Sequence, residues 1–371
     1  MSPFYKPSAQ QSSKPTTCLI ESSHPPLCPL PAILGPAKQS ACFSICGERL
    51  EVDSIAALRY FVHPPENASL RDGLEKFMKL PVQDRCFQRA RRLDNVFSTL
   101  LQSQNAEELL EAEVVTWRGI MRKIILGDKI DLNVSYYEGV LYLEEQNLGS
   151  QFDNNSESTY MGHKFESLCS TATRGGEPDF QDVDLHTLWN TVITRSFGTL
   201  TILLVGEVDC VKDAYAENPG PQNYVELKTR KTENSGPARY YKANIEKWNV
   251  QSHLVGTPEI FVGFPDSTGV LRSFDSRPVQ DMAYAQSKFD WGARVLHSLR
   301  KHCADGVATD GALKVWRVQT RSGRVDIREL DASEVKRMNK GGRARNGILP
   351  LSFIRGLEKR KTSAAKSSKG I

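Results

Sequence analysis

The run Leu200-Thr201-Ile202-Leu203-Leu204-Val205 constrains the fold of this 371-residue chain most, because it is almost unbroken in apolar side chains and ends abruptly in Gly206-Glu207-Val208-Asp209. An apolar run of that length reads as a strand buried on both faces, so its sheet needs a layer on each side. Glu207 and Asp209 stand two residues apart, and alternate strand residues share a face. A second segment, Val225-Glu226-Leu227-Lys228, lies in the apolar stretch from Tyr224 to Thr229, and Pro219-Gly220-Pro221 punctuates the link. Leu200 to Val211 and Tyr224 to Thr229 therefore read as two strands of a hairpin. Pairing them gathers three carboxylates and one ammonium. Like charges at such range raise one another's pKa and weaken the fold, so the cluster calls for a cation, with Lys228 compensating in part. Hard oxygen donors select Mg2+ or Mn2+. The plain alternative is solvated charge on the open face of a sheet, the usual meaning of an isolated E-x-D. The buried character of the run in front of it favours a site.

Composition narrows the class without naming it. The length suits one large or two modest domains, and 39% hydrophobic residues support a core. A formal net charge of +4 does not by itself mark a nucleic-acid binder. No run of about 18 apolar residues occurs, which speaks against a membrane span. Eight cysteines are scattered along the chain. Cys42 and Cys46 have a spacing open to zinc, but no second pair completes a structural ligand set, and reduced thiols in an intracellular protein fit better.

Residues 1–40 are rich in Ser and Pro, lack the order of a signal peptide, and are expected to form a disordered lead-in. Residues 41–335 are expected to form a single folded domain. Residues 336–371 are basic, contain Lys359-Arg360-Lys361, and read as a flexible tail, with nuclear import or RNA contact as the sharper reading. Within the domain, Leu74 to Leu101 has helical spacing, with Leu93, Val96, Phe97, Leu100 and Leu101 forming one stripe. Hairpins are expected for Ile130 to Tyr136 with Val140 to Glu144, around Glu138-Gly139, and for Val315 to Val318 with Val325 to Leu330. Helices are expected from Tyr160 to Cys169 and from Asn244 to Val255.

Three further residues gain meaning only in company: Arg118 in Trp117-Arg118-Gly119, Glu166 in Gly162-His163-Lys164-Phe165-Glu166, and Gln251 in Trp248-Asn249-Val250-Gln251-Ser252. Alone, these are a stacked arginine, a solvent-facing glutamate and a core-edge glutamine. An acidic pair followed by E-x-K is the active-site pattern of the PD-(D/E)xK nuclease fold. In order, W-R-G, G-x-K-F-E, G-E-V-D-C, V-E-L-K and W-x-x-Q-S resemble the motif series of the DXO family of RNA 5′-end decapping hydrolases. The similarity spans roughly Cys42 to Leu330 and is strongest to fungal nuclear members that partner a 5′–3′ exoribonuclease.

That resemblance implies an α+β fold with a central mixed β-sheet flanked by helices, and a cleft holding two divalent ions, Mg2+ or Mn2+, with no organic cofactor. It assigns metal-site roles to Glu166, Glu207, Asp209 and Glu226, with the Leu227 carbonyl as a backbone ligand. Lys228 and Gln251 are assigned to the attacked phosphate or its nucleophilic water, and Arg118 to RNA phosphate. The implied substrates are RNA 5′ ends bearing an unmethylated cap, a triphosphate or a nicotinamide-dinucleotide cap, and the implied place is the nucleus. His163 stands where the family more often has Tyr, and His253 where Phe is usual, which bears on how a cap or first bases stack. Two other readings remain: a non-catalytic stabilising partner of the exoribonuclease, and a DNA-directed restriction-like nuclease.

Overall fold

The computed structural model describes residues 17–21, 27–81, 92–146, 157–178, 183–230, 238–306, 313–321, 323–338 and 344–367. The Leu200–Glu207 strand lies inside a ten-stranded sheet. From edge to edge that sheet runs Thr17–Glu21, Arg324–Glu329, Val315–Arg321, Ile130–Tyr137, Val140–Glu145, Val114–Trp117, Leu200–Glu207, Thr187–Phe197, Lys38–Cys46 and Arg49–Val52. Val114–Trp117 is parallel to both of its neighbours, and the other pairs are antiparallel, so the sheet is mixed.

Both faces of Leu200–Glu207 are covered, as its apolar run demands. Ile202 and Leu204 enter one core with Ile124, Leu296 and Leu299, under the helices Arg118–Leu126 and Gln286–Asp305. Leu203 and Val205 enter another with Phe97, Leu100 and Phe353, under Asp94–Gln102 and Leu351–Ser367. A second, six-stranded sheet runs Leu271–Pro278, Glu259–Pro265, Tyr224–Thr229, Cys210–Val211, Tyr60–Phe61 and Ser170–Thr171. The fold is thus the α+β arrangement of a mixed sheet flanked by helices.

The long hairpin of Leu200 to Val211 with Tyr224 to Thr229 does not form. Both edges of Leu200–Glu207 are already taken, by Val114–Trp117 and Thr187–Phe197. The chain leaves that sheet at Val208-Asp209, and only Cys210–Val211 pairs with Val225 and Tyr224. Tyr224–Thr229 takes Glu259–Pro265 as its long partner, in parallel register. Glu207 and Glu226 therefore sit on different sheets.

The two expected flexible ends also need correction. Thr17–Glu21 pairs with Arg324–Glu329, and Ile20, Cys28 and Ala32 are buried, so much of 1–40 belongs to the fold; residues 1–16 lie outside the described set. At the other end Leu349, Phe353 and Leu357 fill the second core, and Arg360 Nη2 donates to the Leu101 carbonyl at 2.6 Å. A few large side chains in a polar context anchor each end, which an average over composition does not register. The helical stretch 74–101 resolves into Leu74–Lys79 and Asp94–Gln102, with 82–91 outside the described residues. Both expected hairpins form, the first turning through positive φ at Glu138 and Gly139. The helix expected from Tyr160 to Cys169 is Glu157–Leu168, ending one residue early, and the one expected from Asn244 to Val255 lies within Ala238–Val255. Among the described residues no helix is long and apolar enough to cross a membrane, and Cys42 and Cys46 are free thiols.

Candidate active site

The cleft opens where the two sheets adjoin, and its residues arrive on separate elements. Glu207 closes the Leu200–Glu207 strand. Gly206, just before it, has a steric reason: a Cβ there would meet Arg118 Cδ and Nε and Val255 Cγ1, each at 3.2 Å. Arg118, the first residue of its helix, therefore passes directly over the strand end. Asp209 sits in the crossing between sheets and accepts from the Leu227 backbone N–H at 2.7 Å, which ties the second sheet to the end of the first. Glu226 and Lys228 share one face of Tyr224–Thr229.

Glu166 comes from the helix Glu157–Leu168, whose Tyr160, Met161, Phe165 and Leu168 are buried. Phe165 fits over Gly263, where any Cβ would collide with its ring, and this seats the helix on the second sheet. His163 and Glu166 face the cleft together, with His163 Nδ1 3.1 Å from Glu166 Oε2.

Glu226 is the hub. It is 2% exposed. Its Oε1 accepts from Lys228 Nζ at 2.5 Å and from Gln251 Nε2 at 2.7 Å, while Oε2 accepts from Arg118 Nη1 at 3.0 Å. Burial favours the neutral carboxyl, but Arg118 and Lys228 outweigh it and hold the Glu226 pKa well below its usual value. Lys228 also donates to the Leu227 carbonyl at 2.9 Å and stands 3.7 Å from Asp209 Oδ2. Burial works against its charge, yet Glu226 and Asp209 raise its pKa.

Glu207 and Asp209 move the opposite way. Burial, reinforced by Glu166, pushes Glu207 up to about 7. Burial and the charge of Glu226 raise Asp209 well above the normal aspartate value. For His163, burial opposes the imidazolium, but Glu166, Glu207 and Asp209 together raise its pKa. Such opposed shifts among neighbouring titratable groups in a cleft are a signature of functional sites.

The four carboxylates feel one another but are not assembled into a ligand shell: among the described residues, no three acidic, imidazole or thiol groups stand close enough to hold an ion as placed. The donor chemistry nevertheless suits a hard divalent cation. All four side chains offer oxygen, two resist ionisation because burial and neighbouring carboxylates disfavour their charge, and Glu226 keeps one of its roughly four lone-pair directions after three hydrogen bonds.

A family model described as "RAI1 like PD-(D/E)XK nuclease" matches residues 36–354. The chain belongs to this family. Human decapping and exoribonuclease protein is 31% identical over 295 residues, covering 73% of this chain and 72% of the relative. Decapping nuclease RAI1 of Neurospora crassa is 25% identical over 332 residues, covering 80% and 79%. In fold, the chain is similar to Scheffersomyces stipitis Rai1 in complex with (3′-NADP)+ and calcium ion, with a TM-score of 0.75 at 20% identity over 94% of this chain and 99% of that one. Candida albicans Rai1 in complex with pU5-Mn2+ gives 0.72 at 18% identity, over 94% and 100%.

Within this RAI1-like nuclease, every sequence-predicted residue reaches the same neighbourhood. Glu226, Lys228, Gln251 and Arg118 are in direct contact, Asp209 and Leu227 are joined by a hydrogen bond, and Glu207 and Glu166 couple to the group through charge. Arg118, assigned from the sequence to RNA phosphate, is found ion-paired to Glu226. The two departures from the family pattern separate. His163 lines the cleft, whereas His253 packs edge-on against Phe289, 5.9 Å between centroids, and burial lowers its pKa to about 4. His253 is half-buried on the helix that carries Gln251 and is not among the residues lining the cleft. Arg59 was not foreseen: it lines the cleft and donates from Nε to Ser170 Oγ at 3.0 Å and from Nη2 to the Ser170 carbonyl at 3.2 Å. It lies outside every motif, so no local signal marks it.

Proposed function

We propose that this chain is a divalent-metal-dependent hydrolase of RNA 5′ ends, acting on unmethylated caps, terminal triphosphates and nicotinamide-dinucleotide caps. The observation that carries the reading is the convergence of Glu166, Glu207, Asp209 and Glu226 on Lys228 and Gln251 from two sheets and two helices. The relatives named decapping nucleases, and the Rai1 structures solved with (3′-NADP)+ and pU5-Mn2+, support it.

Glu166, Glu207, Asp209, Glu226 and the Leu227 carbonyl are the groups that would hold Mg2+ or Mn2+. Bound there, such ions would lower the pKa of a water so that hydroxide is available near neutral pH, and would offset charge on the phosphoryl oxygens. Lys228, fixed by Glu226 and Asp209, places a point charge beside the attacked phosphate. Gln251, anchored on Glu226 Oε1, orients the attacking water through its amide. Arg118 gives one donor to Glu226 and keeps others of its planar fork for RNA phosphate. The purified protein should release a cap dinucleotide from unmethylated-cap RNA in Mg2+ or Mn2+ and stop with EDTA. Glu207→Gln combined with Asp209→Asn should abolish release while the chain stays folded; full activity in that double variant removes the site.

The resemblance to fungal nuclear members extends the proposal to the nucleus and to a 5′–3′ exoribonuclease partner. Co-purification from nuclear extract, and a longer thermal half-life of the exonuclease in the presence of this chain, test it. Absence of both leaves the hydrolase acting alone.

A further inference from the structure

A second pocket lies along the same sheet, and the chemistry above does not use it. Arg92, Asn133, Glu144, Arg317 and Arg337 line it. Strand register places three of them in a row: Arg317 is opposite Asn133, and Asn133 is opposite Glu144. Their strand neighbours Trp316, Val318, Leu132, Val134 and Leu143 point the other way, into the apolar core. A polar row across three adjacent strands is costly when its members lack partners, and this row lacks some. Asn133 is 3% exposed with no partner for Oδ1, and Arg317 Nε is buried without an acceptor.

The charges point the same way. Glu334, the other acid at the pocket, is committed to Arg328 through bonds of 2.7 and 2.9 Å. Glu144 is 2% exposed, and burial pushes its pKa to about 7, so it offsets only part of the arginine charge at neutral pH. Burial and the nearby Arg328 disfavour charge on Arg317, and Asp131 and Glu334 offset them only in part. The pocket is short of an anion for its arginines and of a hydroxyl-type partner for its buried amide.

An RNA nucleotide offers both. Its phosphate oxygens accept from guanidinium forks, and its 2′-hydroxyl, donor and acceptor at once, satisfies whichever amide atom of Asn133 faces it. The position fits a chain threaded from the cleft. Trp117, which precedes Arg118, donates from Nε1 to the Arg92 carbonyl at 3.3 Å. Glu144 follows Leu143, which is opposite Thr116, so two strand spacings, roughly 10 Å, separate it from Leu200–Glu207. A few nucleotides of single strand cross that distance.

We propose that this pocket is a subsite for a downstream nucleotide of the RNA substrate, its phosphate held by Arg317 and Arg337 and its 2′-hydroxyl by Asn133. It rests on the reading of the neighbouring cleft as an RNA hydrolase, so the test reads binding separately from turnover. Fluorescence anisotropy with end-labelled RNAs of about 12 and about 3 nucleotides compares a ligand that reaches the pocket with one that does not. Arg317→Gln and Arg337→Gln should each weaken the longer RNA about tenfold and shift the shorter less than about twofold. Arg337 is exposed, so its variant keeps the test open if Arg317→Gln does not fold. Asn133→Leu should lower affinity for the longer RNA and not for DNA of the same sequence. Unchanged affinity for the longer RNA in both arginine variants overturns the subsite. Thermal stabilisation by free adenosine monophosphate that depends on Arg317 also overturns it, in favour of a mononucleotide site. A protein that binds long RNA through Arg317 but hydrolyses none keeps the subsite and loses the hydrolase reading. One that hydrolyses short capped RNA, with long-RNA affinity indifferent to Arg317, does the reverse.

Discussion

Arg118 Nη1 lies 3.0 Å from Glu226 Oε2, and both residues are more than nine-tenths buried. Removing one partner of such a pair strands a charge in a low-dielectric site, at about 3–5 kcal/mol, whereas replacing both with apolar groups of similar volume is far milder. Arg118→Met should therefore lower the unfolding free energy by roughly that amount, less what Lys228 retains. Arg118→Met with Glu226→Gln strands no carboxylate and keeps an acceptor for Lys228 and Gln251, so it should recover most of that loss and remain inactive. Denaturant melts of the two single variants and the double variant check this; additive losses mean that the two side chains do not interact.

The raised acids set a pH dependence whose sign is fixed. Glu207, lifted by burial from 4.5 to about 7, holds a proton in the folded chain that the unfolded chain has released. Its contribution to stability is complete below about 4.5 and is lost as pH rises through about 7. Asp209 adds in the same direction. A divalent cation favours the ionised acids and must displace those protons. Thermal melts in EDTA should show stability falling between about pH 5 and 8, and the gain on adding Mn2+ should be larger at about pH 8 than at about pH 6. An equal gain at both removes Glu207 and Asp209 from the cation site.

The site was more legible in the sequence than the fold around it. Spacing told that Glu226 and Lys228 share a face, and the apolar run of Leu200 to Val205 told that both faces are covered, whereas Asp209 lies past the end of the strand that carries Glu207 and shares no strand face with it. Strand partnership is not local. Glu207 and Glu226 converge because their strands lie in different sheets that adjoin, not because the strands pair, and the competition of Val114–Trp117 and Thr187–Phe197 for the edges of Leu200–Glu207 leaves no mark in the intervening residues. Arg59 and the Arg317–Asn133–Glu144 row were invisible for the same reason, being assembled from elements far apart in the chain.

Two glycines near the site should respond differently to one added methyl. At Gly206 the new Cβ meets Arg118 and Val255 at 3.2 Å, a contact that a small shift of a long side chain relieves. Gly206→Ala should cost about 1 kcal/mol or less yet reduce turnover more than tenfold, since positioning errors near 1 Å are that damaging. At Gly263 the Cβ collides with a rigid Phe165 ring, and the helix bearing Glu166 has to move. Gly263→Ala should cost about 1–3 kcal/mol as well as activity. Equal stability losses in paired melts would show that Phe165 does not seat that helix.

The last helix is the strongest test of the C-terminal correction. Phe353 is 1% exposed, packs at a tilt against Phe97 with centroids 4.6 Å apart, and meets Tyr142 edge-on at 5.9 Å. These rings lie in the core that covers Leu203 and Val205, on the strand that ends in Glu207. A flexible tail tolerates Phe353→Ala. A core residue loses about 3–5 kcal/mol, and deletion from Arg345 onward should uncover the part of that core under Leu349, Phe353 and Leu357 and leave the chain prone to aggregation. Leu357→Ala, nearer the rim at 9% exposed, should cost less than Phe353→Ala. Urea melts that place both variants at wild-type stability would return the segment to the surface and remove the second layer from behind the catalytic strand.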